Sequence, residues 1–140
     1  MPTDSTKATL VRRRFDRRAE EVAAVRRFVG GGLVRGTEAW ETAQLLVSET
    51  VTSSLDQSGP EPGSGSLEVG YVVIGRRLRV EVSDDGGPAR LRRRIHDVHS
   101  AKGRGLELVD ALASRWGVRE SAAGRTIWFE VDLPAPQRTS

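Results

Sequence analysis

The sequence predicts an α+β fold, a two-layer sandwich in which helices cover one face of a mostly antiparallel mixed sheet. In some segments apolar residues recur at every third or fourth position, which is typical of amphipathic helices. In others they alternate with polar residues, which is typical of strands. The order along the chain is strand, two helices, two strands, loop, helix and two strands, without an internal repeat. This order indicates helices packed on one side of a single sheet.

The composition fits one compact domain. The chain has 140 residues, and we place the domain at residues 9–134, between a flexible N-terminus (1–8) and a C-terminal tail (135–140). Cysteine is absent, which excludes disulfides and thiolate zinc sites. No apolar run is long enough to span a membrane, and the first residues lack the pattern of a secretory signal. We therefore expect a cytoplasmic protein.

Arginine supplies nearly all of the positive charge, and the net charge is +3. The arginines cluster at Arg12–Arg14 with Arg17 and Arg18, and at Arg90 with Arg92–Arg94. Acidic residues are interleaved through the rest of the chain, so we interpret both clusters as solvated faces. Neither cluster is interleaved with stacking aromatic residues, and we expect no direct binding to nucleic acid.

The N-terminal half contains a strand and two helices. Residues 8–16 alternate in the manner of a strand at a sheet edge, and Asp16 is placed to cap the first helix. Gly30–Gly32 end that helix. Thr37 is a suitable N-cap for the second. The apolar positions of the two helices are Val22, Val25, Phe28 and Val29, and then Trp40, Ala43, Val47, Val51 and Leu55.

The C-terminal half contains four strands and one helix. Alternating segments on either side of Gly75-Arg76 predict a β-hairpin. After a polar loop, a third helix is predicted to end at Gly117, and two strands follow around a turn at Ala123-Gly124. The apolar residues of this helix are Leu106, Val109, Leu112, Ala113 and Trp116.

A first candidate motif lies in the second helix. Glu49, Ser53 and Gln57 occur at i, i+4 and i+8 and so share one face. A carboxylate there can act as a general base toward a hydroxyl, and a side-chain oxygen one turn on can help to hold Mg²⁺. Taken alone, the pattern fits an ordinary polar helix face equally well.

A second motif, VEVSDDGG, places Asp84 at the end of a predicted strand. Its carboxylate can accept a hydrogen bond from an exocyclic amine such as that of adenine. Gly86 and Gly87 allow the backbone to approach a ligand, because no Cβ intervenes. A plain Asp-Gly turn would have the same sequence.

In a third motif, KGRGLELVDAL, Gly103 and Gly105 immediately precede a predicted amphipathic helix. The free amides at a helix N-terminus favour anions. A lone G-x-G is weak evidence, and it is not the dinucleotide fingerprint, whose third glycine is missing here.

Together and in this order, the motifs resemble the Bergerat fold, the ATP-binding domain shared by gyrase, the heat-shock chaperone ninety, histidine kinases and the mismatch-repair ATPase. Within it the chain looks like the small stand-alone branch of anti-sigma-factor serine kinases and their actinobacterial relatives. The resemblance covers about Ala8 to Leu133, and GRGLELVDALASRWGV followed by GRTIWFEVDLP is its most specific part.

The resemblance implies roles for individual residues. Glu49 matches the general base that activates a serine hydroxyl on a partner protein. Asp84 matches the aspartate that contacts the adenine amine, and Gly86 matches the family's next glycine. Residues 88–102 match the ATP lid. The other nucleotide-binding positions that the resemblance implies are Lys102, Gly103, Arg104, Gly105 and Leu106.

The chain departs from the family at Ser53. Relatives usually have Asn there, whose amide oxygen ligates Mg²⁺, and a basic residue and His at the positions of Asp56 and Gln57. A serine hydroxyl is shorter, and Mg²⁺ requires near-octahedral geometry. The resemblance thus implies ATP and Mg²⁺ as cofactors, but the metal site is expected to be damaged.

Two functions remain open at this point. The chain is either an ATP-dependent serine kinase that binds a sigma factor and phosphorylates an anti-sigma-factor antagonist, or a partner-switching module of the same fold without kinase activity. The resemblance also implies a homodimer.

Overall fold

The computed structural model describes residues 10–57, 65–84, 106–121 and 124–134. Within these ranges the elements follow the predicted order. They are β1 (Val11–Asp16), α1 (Val22–Gly30), α2 (Glu38–Gln57), β2 (Ser66–Ile74), β3 (Arg77–Asp84), α3 (Glu107–Leu112), β4 (Arg115–Ser121) and β5 (Gly124–Asp132). A single 3-10 turn, Ala19–Glu21, precedes α1.

The strands form one sheet in the order β1-β2-β3-β5-β4. Every neighbouring pair among these described strands is antiparallel. The hairpins β2–β3 and β4–β5 lie side by side, because β5 pairs with β3. β1 lies at one edge, where the sequence predicted it.

The helices form a second layer on one face of the sheet. α2 packs over β3 and β5, α1 packs over β2, and both α1 and α3 pack against α2. Every second residue of each strand faces this layer, and burying such a side chain contributes about 1.5–3 kcal/mol. The predicted α+β sandwich is confirmed. Among the described residues, the fully buried apolar side chains of its core are Val25, Val29, Ala43, Leu46, Val47, Val51, Leu67, Val69, Leu78, Val80, Val82, Leu106, Val109, Ile127 and Phe129.

The opposite face of the sheet is polar. Glu130 pairs with Arg77 at 3.4 Å, with Arg79 at 3.0 Å and with Arg115 at 3.6 Å. Arg79 also lies over the ring of Trp128, with 4.2 Å between the guanidinium carbon and the ring centroid. Pairs that remain in contact with solvent contribute at most about 1 kcal/mol each. The apolar face therefore contributes more to folding than this network does.

Several predicted element ends are confirmed. The Trp40 N–H donates to Thr37 Oγ1 at 3.2 Å, so Thr37 caps α2. The first hairpin turns at Gly75-Arg76, and Gly75 has a φ of 61°, which glycine adopts without strain. Residues 122–123 of the second predicted turn lie outside the described residues. No helix in the described part of the chain reaches the length and apolar content of a membrane span.

The predicted cap of the first helix is wrong. Asp16 is the last residue of β1 and lies opposite Ser66. Its backbone carbonyl accepts the Arg18 N–H at 2.9 Å, and the 3-10 turn begins without a side-chain cap. Sheet pairing therefore holds Asp16 away from the helix N-terminus.

The predicted end of the third helix is also wrong. α3 ends at Leu112, and Ala113 is extended with a ψ of 147°. Trp116 and Gly117 belong to β4, where Trp116 lies opposite Phe129. The apolar spacing fits a helix as far as Trp116, but pairing with β5 overrides it.

Gly117 provides a test of this assignment. A Cβ at this position would lie 2.8 Å from Nε1 of Trp128, which is opposite Gly117 on β5. We expect Gly117→Ala to lower the free energy of unfolding by about 1–3 kcal/mol, because the added methyl group overpacks the contact. In a Trp128→Ala background the same substitution is expected to cost much less. Urea unfolding of the four variants measures both values, and an equal cost in the two backgrounds would contradict the predicted contact.

Candidate functional site

One stripe of α2 carries Glu49 and Ser53 toward α3. Thr42, Glu49 and Ser53 are separated by seven and four residues, which returns them to the same side of a helix with about 3.6 residues per turn. Thr42 lines a pocket together with Leu112 at the end of α3. Glu49 is half-buried, and Ser53 is buried with 3% of its surface exposed. Helix geometry therefore places Glu49 and Ser53 on the side of α2 that Thr42 turns toward Leu112.

The position of Ser53 relative to Asp84 can be estimated from the lengths of α2 and β5. Ala39 and Val131 line one pocket, so the start of α2 lies beside the end of β5. From there α2 rises about 21 Å to Ser53, and β5 runs back about 20 Å to Arg125. Arg125 lies opposite Asp84 on β3. If α2 and β5 run alongside each other, these two lengths are nearly equal, and we therefore expect Ser53 and Asp84 to lie toward the same end of the sandwich.

Asp84 is a buried carboxylate in an ion pair. It is 2% exposed, and its Oδ2 lies 3.8 Å from Nε of Arg17, which is equally buried. Arg17 directly follows β1 and is two residues after Phe15, whose side chain faces the helices. Its backbone N–H donates to the Gly65 carbonyl at 3.3 Å, which extends the pairing of β1 with β2 by one residue. The backbone therefore fixes where the guanidinium enters the core.

Two further charged residues, Arg125 and Glu120, lie in register with Asp84 on the neighbouring strands. Arg125 lies opposite Asp84, and Glu120 lies opposite Arg125. Residues opposite each other in antiparallel strands project from the same face. Arg17, Asp84, Arg125 and Glu120 therefore alternate in sign along the end of the sheet, and we call these four residues the charge row. Buried charges are tolerated when they are paired, and the ion pair between Arg17 and Asp84 provides this for two of the four.

The predicted nucleotide-binding residues divide between described and undescribed parts of the chain. Leu106 is fully buried in the core immediately before α3. Glu49 and Ser53 lie one turn apart on α2, and Asp84 is the last residue of β3. The remaining positions lie outside the described residues, as does the predicted lid, residues 88–102. They are Gly86, Lys102, Gly103, Arg104 and Gly105.

Sequence reasoning missed Arg17 and Arg125. We interpreted the cluster around Arg17 as a solvated face, and this is wrong for Arg17, although Arg12–Arg14 and Arg18 are exposed. The available signal was alternation, because Arg17 is two residues after the inward-facing Phe15. For Arg125 no local signal existed, since its burial depends on pairing with β3.

The described residues do not supply a magnesium site on their own. No group of three His, Cys, Asp or Glu side chains occurs among them in a metal-binding arrangement. The α2 stripe offers one carboxylate, Glu49, and one hydroxyl, Ser53. In nucleotide sites Mg²⁺ is commonly held by one or two protein oxygens together with phosphates and water, so Glu49 and Ser53 would hold it only jointly with a nucleotide.

Comparison with solved structures supports the architecture. The chain is similar to the Erythrobacter litoralis EL346 blue-light activated histidine kinase, with a TM-score of 0.51 and 21% sequence identity over 82% of the chain. The match covers 41% of that protein, so the chain spans about two fifths of its length. No family model and no curated protein sequence matches the chain. At this identity the likeness shows a shared kinase-like fold.

The buried ion pair predicts a large stability difference between adjacent arginines. Arg17→Met should lower the free energy of unfolding by about 3–5 kcal/mol, because it leaves the buried Asp84 carboxylate without this cation. Arg18→Met, at an exposed position, should change it by about 0.5 kcal/mol or less. Asp84→Asn introduced into the Arg17→Met variant should recover part of the loss. Denaturant unfolding measures all four proteins, and equal effects at the two arginines would contradict the pair.

Proposed function

We propose that the chain is an adenine-nucleotide-binding regulatory domain that acts as an anti-sigma-factor serine kinase does. One observation carries the proposal: Asp84 is a buried carboxylate at the end of a strand, in a chain whose helix α2 carries Glu49 one turn before the buried Ser53. The kinase-like fold supports the same interpretation. A carboxylate is an acceptor-only group, which suits the exocyclic amine of adenine.

Glu49 is the proposed general base. It lies on a rigid helix, one turn before Ser53, and is half-buried rather than fully solvated. ATP would supply the phosphoryl group. Glu49 would take the proton that a partner's serine hydroxyl loses as its oxygen bonds to the phosphorus and ADP leaves.

The Ser53 hydroxyl, which is shorter than the amide side chain it replaces in the resembling family, favours a second candidate function. Without a firmly held Mg²⁺, the charge of the transferring phosphoryl group is poorly neutralised. The chain would then be a partner-switching module that binds nucleotide weakly and transfers no phosphate. A sigma factor and an anti-sigma-factor antagonist are the proposed partners in both cases, with a homodimer as the proposed assembly.

Calorimetry with ATP tests the nucleotide site. We expect the wild type to bind ATP weakly, with little gain from added Mg²⁺. Ser53→Asn should tighten binding by about tenfold, and only with Mg²⁺, because the added carbonyl oxygen acts through the metal. Asp84→Asn should weaken binding in both backgrounds, because an amide is a poorer acceptor.

Thr52→Asn is the matched control, since it adds the same amide at an exposed position of α2. Tight, Mg²⁺-dependent binding by the wild type would show that Ser53 is tolerated and would favour the kinase. If neither the wild type nor Ser53→Asn binds ATP, the nucleotide-binding proposal fails, and a partner-switching module that uses no nucleotide is favoured.

Phosphoryl transfer tests the role of Glu49. With ATP and the antagonist from the same organism, Glu49→Gln should reduce formation of phosphoserine by about 10²–10⁴-fold while leaving ATP affinity nearly unchanged. Glu41→Gln, at an exposed position of the same helix, should have no effect. Mass spectrometry of the antagonist measures the product. Absence of phosphoserine with the wild type would favour the second function, and full activity of Glu49→Gln would exclude Glu49 as the base.

A further inference from the structure

We propose that Arg17 is a positioning residue that gives the nucleotide site its selectivity for adenine. It acts by holding the Asp84 carboxylate in one orientation. This inference rests on the proposed function, because it assigns the base selectivity of that same site.

Orientation matters because a carboxylate can recognise more than one base. Adenine presents an amine where guanine presents a carbonyl oxygen, and guanine carries its own amine at another position. A fixed carboxylate that faces the adenine amine would meet the guanine carbonyl with a second acceptor and reject it. A carboxylate that is free to turn can accept from the N–H groups of guanine instead. The terminal torsion of an Asp side chain is broad, so it needs an external restraint.

Arg17 is in a position to restrain the Asp84 carboxylate. Its Nε lies 3.8 Å from Oδ2 of Asp84, and both side chains are almost completely excluded from solvent, at 2% and 1% exposure. The pairing of its backbone N–H with Gly65 anchors the residue beside the end of β2. At 3.8 Å the contact is an ion pair rather than a hydrogen bond, and the attraction between the two charges, which is strong in a site closed to solvent, draws Oδ2 toward Arg17. On the other side of Asp84, Arg125 lies directly opposite on β5.

The test is the ratio of the dissociation constants for GTP and ATP, measured by calorimetry without divalent metal so that the metal site does not enter. We expect the wild type to prefer ATP by tenfold or more. Arg17→Met should reduce this preference by about tenfold. Arg17→Lys, which keeps the charge but lacks the planar fork, should give an intermediate value. Arg18→Met, at the neighbouring exposed position, should behave as the wild type.

A double-mutant cycle separates positioning from a general structural role. In an Asp84→Asn background, Arg17→Met should leave the GTP-to-ATP ratio unchanged, because the carboxylate that Arg17 orients is gone. Partial unfolding weakens apparent affinity for both nucleotides by the same factor, so it cancels in the ratio. If Arg17→Met does not fold, Arg17→Lys carries the comparison in both backgrounds.

The outcomes distinguish the inference about Arg17 from the proposed nucleotide-binding function. If the wild type binds ATP and the Arg17 variants keep its selectivity, the inference is overturned while the proposed function stands. A change of the ratio that is equally large in the Asp84→Asn background would show that Arg17 does not act through Asp84, which also overturns it. If the wild type binds neither nucleotide, the proposed function fails and this inference fails with it.

Discussion

The buried ion pair between Arg17 and Asp84 constrains the register of the whole sheet. Side chains alternate with a period of two along a strand, so a slip of one residue moves every inward side chain to the other face. Such a slip would separate these two charges and expose the apolar residues between the layers. Breaking a buried ion pair costs about 3–5 kcal/mol, a large part of the roughly 5–15 kcal/mol that holds a domain together. The charge row and the apolar core therefore specify the same pairing.

The two ends of the sandwich differ in chemistry because of this row. Over most of its length the helix-facing side of the sheet carries aliphatic residues such as Val80, Val82 and Ile127. At the end defined by Asp84 and Arg125, this side is charged instead. β3 ends there. On the helix-facing side of the sheet, charged groups are thus concentrated at one end and lie on rigid strands, which is where a preorganised site for a polar ligand would be useful.

The proposed site assigns nucleotide binding and proton transfer to different residues. Asp84, which is proposed to contact the base, and Glu49, which is proposed to accept a proton, lie on elements that the core holds in place. Ser53 lies between them in the chain and offers only a hydroxyl for a metal. In this protein nucleotide binding and phosphoryl transfer are therefore expected to depend on different residues, and loss of the second need not remove the first.

The sequence by itself determined the fold class, the order of the elements, the first hairpin and the α2 face with Glu49 and Ser53, because these features depend on periodicities within one segment. Tertiary structure alone decided that β5 lies between β3 and β4, that Trp116 continues in a strand rather than a helix, and that Arg125 is buried opposite Asp84. The physical reason is the same in each case. Pairing between distant segments supplies the partner, whether a strand or a buried carboxylate, and a local pattern of residues contains no information about which partner that is.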